Sequence, residues 1–233
     1  IVVDSAQTNI ARLASHPMMV KPGTEGLFVQ GLVKSVIDQD LIDAEATGKY
    51  PEAFAALKQA VAERSLDEIA GATGVSVDQI NEAATIFAEA PRAIILCAEG
   101  IVRRPGGYEH VLTIIDLAWI TGKLGRPGCG VNTVTEEINE QGAVDMGVAP
   151  EFLPGQARFE NESARERFAK AWGTALPSIG SGAGLLEILK RCRSGKIRAL
   201  YVIGENPLAT LPASLEVQTA LERLEFLVCQ DPF

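Results

Sequence analysis

Short apolar runs alternate along this chain with stretches whose apolar residues recur at helical spacing. The runs Ile1–Val3, Met18–Val20, Ala93–Cys97, Leu200–Ile203 and Phe226–Cys229 are unbroken. They suit strands buried on both faces of a parallel sheet. Between them, Leu27, Phe28, Leu32, Val33, Val36 and Ile37 fall on one helical face, with Thr24 placed to cap it and Glu25 favourable at its positive end. Ser65-Leu66-Asp67-Glu68 and Ser76-Val77-Asp78-Gln79 read as capping boxes, each opening an amphipathic helix. A long helix is expected from Tyr108 to Lys123, and further helices over Asn161–Trp172, Gly184–Arg193 and Ser214–Leu224.

This order implies an α/β fold built from βαβ units. The clearest unit runs from Ala199 through Gly204-Glu205-Asn206-Pro207 and a helix to the strand that ends at Asp231. Asp43–Glu63 is alanine-rich and helical, and with the two capping-box helices, the second stopping before Pro91, it makes a small module expected to pack on a sheet. Gly122–Gly130 is glycine-rich, which lets a ligand or another segment approach closely. Thr133–Pro154 shows no regular pattern, and a loop that long is functional or a crossing between domains.

Composition narrows the classes. With 47% hydrophobic residues in 233, the chain can bury a core. A net charge of −9 argues against binding nucleic acid, and a dense basic spot at Arg103-Arg104 reads as surface. No apolar run approaches the roughly 18 residues of a membrane span, so no direct membrane insertion is expected. The four cysteines are too scattered for a zinc or iron–sulfur motif. Cys97 and Cys229, inside apolar runs, are expected to be buried, and the setting is read as reducing and cytoplasmic. Both ends, Ile1 without an initiating Met and Phe233 directly after a strand, read as cuts in a longer protein.

Candidate chemistry gathers where strands end. Asp4, Glu99, Glu205 and Asp231 stand at or just past the carboxyl ends of apolar runs. In open parallel sheets, ligands bind at that edge. A carboxylate there can accept from ribose hydroxyls, or from the two adjacent donors of guanine. It serves equally well as a helix cap or a solvated loop acid. Neither G-x-G-x-x-G after a strand nor a P-loop lysine is present. His16 and His110 read as structural, and no residue is assigned as catalytic or as a metal ligand.

Taken in order, the motifs resemble a known family. They are the strand ending in Asp4, Lys21-Pro22-Gly23-Thr24-Glu25, Thr121-Gly122-Lys123-Leu124-Gly125-Arg126-Pro127-Gly128-Cys129-Gly130-Val131-Asn132, and Asn139-Glu140-Gln141-Gly142-Ala143-Val144-Asp145-Met146-Gly147. Leu153-Pro154-Gly155, Gly204-Glu205-Asn206-Pro207 and Gln230-Asp231 complete the set. The chain resembles the molybdopterin oxidoreductases of the dimethyl-sulfoxide reductase superfamily. That group includes formate dehydrogenases, nitrate reductases and the large peripheral chain of NADH-quinone oxidoreductase.

The resemblance implies two Rossmann-like domains, doubly wound with mostly parallel sheets, both incomplete in a fragment. Residues 1–136 would form part of the first, with the helical insertion at about 43–90, and 137–233 part of the second. Each would hold one half of a cofactor of two molybdopterin guanine dinucleotides, carrying molybdenum or tungsten. By this analogy Asp4, Gly23, Thr24, Glu25 and Gly100 serve one half, and Gly204, Glu205, Asn206 and Asp231 the other. Gln141 would pass near the pterins. Iron–sulfur clusters would lie in the parent chain outside this stretch.

Formate dehydrogenases of this group carry an arginine six residues before the motif glutamine; here that place is Thr135, followed by Glu136-Glu137. This difference leans toward the NADH-quinone oxidoreductase chain, with a scaffold role in respiratory electron transfer. The alternative is a formate-dehydrogenase-like α subunit, and, from another class, a plain nucleotide-binding domain. Partners would be other subunits of a respiratory or formate dehydrogenase complex, with attachment to the inner face of the membrane only through them. The isolated stretch is expected to be inactive.

Overall fold

A computed structural model describes residues 1–135, 138–177, 182–211 and 214–232. The chain divides into two compact units, Ile1–Glu136 and Glu137–Phe233.

The first unit runs β1 (Val2–Asp4), α1 (Asn9–Leu13), β2 (Pro17–Met19), α2 (Glu25–Asp38), α3 (Ala44–Gly48), α4 (Pro51–Ala62), α5 (Leu66–Thr73), α6 (Val77–Glu89), β3 (Ile94–Ala98), α7 (Glu99–Val102), α8 (Gly107–Ile120) and β4 (Gly130–Val134). Helix α2 is its centre and packs against α4, α5, α6 and α8. Phe28, Val33 and Val36 of α2 are fully buried, together with Ile69 of α5 and Ile80 of α6. The α5 helix comes close at Gly31, where a β-carbon would sit 3.0 Å from the Ile69 methyl. Both expected capping boxes form: the Ser65 and Ser76 hydroxyls each accept from the third helical N–H, and their own backbone N–H groups donate back to the Glu68 and Gln79 side chains.

The helical module is tied at both of its ends to the loop after α8. At one end, Asp43 caps α3 by accepting from the Ala46 N–H at 2.9 Å, and its own N–H donates to the Ile120 carbonyl at 2.7 Å. Arg126 donates to the same carboxylate at 2.8 Å, and the Trp119 indole N–H donates to the Ala46 carbonyl at 3.1 Å. At the other end, Lys123 Nζ donates to the Ala88 carbonyl, in the last turn of α6, at 3.0 Å. A cation at a helix carboxyl end is favourable there. The glycines of this loop admit another segment: a β-carbon on Gly122 (φ +68°) would lie 2.2 Å from Asp43 Oδ2.

The second unit runs α9 (Glu140–Asp145), β5 (Phe152–Leu153), β6 (Ala157–Arg158), α10 (Glu162–Trp172), α11 (Leu185–Arg193), β7 (Ala199–Ile203), α12 (Pro207–Thr210), α13 (Ser214–Glu222) and β8 (Phe226–Gln230). Its core is Leu189 and Cys192 of α11 against Val217 and Ala220 of α13.

The fold is α/β, with small parallel sheets. β1 pairs with β2, β3 with β4 and β7 with β8, each in parallel, and β5–β6 is an antiparallel hairpin. Each described sheet has two strands. The expectation of strands buried on both faces is therefore corrected. Ile94, Leu96, Tyr201, Ile203 and Phe226 are all more than half exposed. Side chains alternate across a strand, so one covering layer of helices leaves every second residue open. For the same reason Cys229, expected to be buried, is exposed, while Cys97 is buried. The glycine-rich run leads directly into β4, and Thr133–Pro154 is more regular than its sequence suggests, holding the end of β4 and all of α9 and β5. Glu136 and Glu137 lie outside the described residues.

No described helix is long and apolar enough to cross a membrane.

Candidate functional site

Two sets of the expected residues gather at strand carboxyl ends, one in each unit. In the first unit Asp4 closes β1, and its carbonyl accepts from the Val20 N–H at 3.0 Å just past β2. Its carboxylate turns back on its own loop, accepting from the Ala6 N–H at 3.1 Å and the Thr8 hydroxyl at 3.3 Å. Gly23 then makes the turn into α2 at φ +87°, a region that favours glycine. Thr24 occupies the cap position, but its hydroxyl donates to the Lys21 carbonyl at 2.7 Å and does not cap the helix.

Glu25 is committed to a partner the sequence did not suggest. Its carboxylate accepts from Arg104 at 3.0 Å, with the Glu25 side chain only 15% exposed. A β-carbon on Gly23 would lie 3.5 Å from the same guanidinium. Thus Arg104, read from sequence as surface, joins the segment after β3 to the segment after β2. Nothing stands within 4 Å of a β-carbon at Gly100, so the backbone of α7 is open to approach there. Arg103 pairs with Glu99 at 3.0 Å along the same segment. His110 packs its ring edge on Gly26, and Nδ1 lies 3.3 Å from the Ile101 carbonyl, so it is structural.

In the second unit Gly204 ends β7 at φ +62°, and its N–H donates to the Gln230 carbonyl at 2.8 Å. That bond brings the Gly204-Glu205-Asn206 turn beside the end of β8, where Asp231 follows. No atom lies within 4 Å of a β-carbon at Gly204. Asn206 caps α12 with its backbone: its carbonyl accepts from Thr210 N–H at 3.1 Å, while its side chain makes no cap bond. The Thr210 hydroxyl donates to the Glu205 carboxylate. Thr210 was not singled out from sequence, and its place four residues after Asn206 is the signal that could have found it. Tyr201, whose hydroxyl donates to the Gln230 side chain, ties β7 to β8 near the same edge.

Gln141 lies on α9, whose cap Asn139 sits at φ +62° and accepts from the Gly142 N–H at 3.2 Å. The Gln141 side chain forms no hydrogen bond among the described residues. No group of three or more metal-binding side chains occurs among the described residues.

The arrangement offers carboxylate and amide acceptors and open backbone at two strand edges, and among the described residues no paired nucleophile and base. It is a binding geometry. The model of the molybdopterin oxidoreductase family matches residues 12–233. Formate dehydrogenase H of Escherichia coli is 34% identical over the whole chain, which covers 33% of that protein. The assimilatory nitrate reductase catalytic subunit of Bacillus subtilis is 33% identical over 100% of this chain and 33% of its own length. The F420-dependent formate dehydrogenase subunit alpha of Methanocaldococcus jannaschii is 34% identical over 100% of this chain and 34% of that one. The chain therefore spans about a third of the length of the curated relatives it matches. Among solved structures, acetylene hydratase from Pelobacter acetylenicus superposes with a TM-score of 0.71 at 20% identity, covering 99% of this chain and 34% of that one, a likeness of fold. These names favour the formate-dehydrogenase-like alternative over the lean that Thr135 gave toward the NADH-quinone chain. The chain belongs to the molybdopterin oxidoreductase family.

Proposed function

We propose that this chain is the central part of a formate-dehydrogenase-like oxidoreductase α subunit, and that each of its two units is Rossmann-like and holds one of two pterin guanine dinucleotides. The observation that carries the reading is the family match over residues 12–233, which takes in the second strand-end set and all of the first but Asp4. Two of the relatives it resembles are named as formate dehydrogenases.

The residues of both strand-end sets fit such a group. Glu205 and Asp231 supply carboxylates that match the paired N–H donors of guanine or the hydroxyls of ribose. Gly204, with nothing near its missing β-carbon, lets a ligand approach the backbone. In the first unit Asp4, Gly23, Thr24 and Gly100 line the edge, whereas Glu25 is held by Arg104. Glu25 therefore acts through Arg104, fixing the turn into α2, and leaves recognition to its neighbours. Gln141, on the segment between the two sets, faces the pterins in this reading. When bound, the metal held by the pterins supplies two-electron redox chemistry. The residues of this chain bind and orient; iron–sulfur clusters and partner subunits belong to the parent protein in this proposal.

The test is the metal and pterin content of the full-length protein, by elemental analysis and fluorescence of the oxidised pterin. Molybdenum or tungsten with two pterins per chain is the expected result, and formate oxidation should follow. Iron without pterin would overturn this proposal and return the scaffold reading. A double change, Glu205→Ala with Asp231→Ala, should lower pterin occupancy while leaving the thermal transition of the protein in place.

A further inference from the structure

The cleft at the neck of the helical module contains a cation without a matching charge. Lys123 is 5% exposed, and its one described side-chain bond is to the neutral Ala88 carbonyl. It has no ion pair among the described residues. An ammonium group carries three donors, so two remain. Burying a charge is costly unless it is paired and its donors are met.

The other polar groups lining this cleft are Asp43, Glu89, Thr121 and Arg126. Asp43 already has a partner on each oxygen, the Ala46 N–H on one and Arg126 on the other. Thr121 donates to the Leu117 carbonyl at 2.7 Å. Glu89 is exposed at the rim. Lys123 and Arg126, the two cations of this cleft, therefore keep donors that no described bond uses. Helix α8, of 14 residues, separates this cleft from the Arg104 end of the unit, about 21 Å along its axis. It is thus distinct from the strand-end set.

We propose that the cleft binds a small oxyanion of the phosphate or sulfate class between Lys123 and Arg126. The bound ion supplies the acceptors Lys123 lacks and joins the two ends of the module, which Asp43 and Ala88 mark. Its effect is on the attachment of the helical module.

The probe is inorganic phosphate, with sulfate in parallel, titrated into the 233-residue chain by calorimetry at ionic strength held constant with chloride. Saturable binding of one ion per chain is expected, with a higher thermal midpoint. Lys123→Met should weaken it by at least about tenfold, whereas Lys123→Arg, which keeps charge and donors, should retain it. Glu89→Gln removes a repelling carboxylate and should tighten binding by about threefold. Chloride-like, non-saturable behaviour overturns the proposal, as does binding that survives Lys123→Met unchanged. Should Lys123→Met fail to fold, Glu89→Gln decides alone, and unchanged affinity there overturns the proposal.

Discussion

Asp116 shows how one residue can be at odds with its surroundings. It stands in α8 between exposed Ile115 and buried Leu117, is partly buried, and forms no described ion pair. Burial pushes its carboxyl above the ordinary range. A raised folded-state pKa means that the neutral acid is the better tolerated form. Its favourable contribution is present below the unfolded value and is lost as pH rises through the folded one. Asp116→Asn should therefore raise the thermal midpoint at neutral pH, with the gain vanishing in acid; a midpoint difference independent of pH would refute this. Asp43 has the opposite sign. The Ala46 N–H bond, then Arg126, hold its carboxyl below the usual range, so its stabilisation is present near neutrality and is lost as pH falls through the folded value.

Gly26 is decided by a neighbour that no local pattern reveals. A β-carbon there would sit 2.0 Å from the His110 ring. Gly26→Ala should cost about 1–3 kcal/mol as an overpacked contact, measured by denaturant unfolding. Adding His110→Ala should recover much of that loss, because the obstructing ring is gone.

At the scale of elements, the helices were the legible part. Ser65 and Ser76 announce α5 and α6 because a capping box is local chemistry, complete within four residues. Ser65→Ala and Ser76→Ala should each cost about 1 kcal/mol of unit stability in the same unfolding assay. Cost near zero in both would mean that packing alone holds these helices. The strands were legible in position but not in surroundings. An apolar run such as Leu200–Ile203 fixes where β7 lies, but the burial of its two faces depends on what packs there. β4 was missed because Gly130-Val131-Asn132-Thr133-Val134 is short and follows glycines, and it becomes a strand through its parallel pairing with β3. α9 was missed because its amphipathic signal spans only six residues.

At the scale of the whole molecule, family membership rests on motifs spread from Asp4 to Asp231, and no one of them would have sufficed. The chain covers about a third of its relatives, and among its described residues there is no cluster of metal ligands. We expect the 233-residue chain by itself to show no turnover with formate or NADH as donor. Clear oxidation of either in a dye-linked assay would be the contrary result. The open faces of β3 and β7 belong to this scale as well: Leu96 and Ile203 are 68% and 64% exposed. Apolar side chains in that position lower the free energy of a molecule only when something covers them.

The amino-acid sequence by itself determined the α/β class, the helix starts, the strand-end acids and the family. These depend on periodicity, on caps of a few residues and on motif order, all carried by residues near one another in the chain. Tertiary structure alone decided that Glu25 answers to Arg104, 79 residues away, that Gly26 makes room for His110, and that the glycine-rich loop clasps both ends of the helical module. Those relations arise when distant segments are brought within about 3 Å, where charge pairing and steric exclusion act, and local sequence carries no record of which segments will meet.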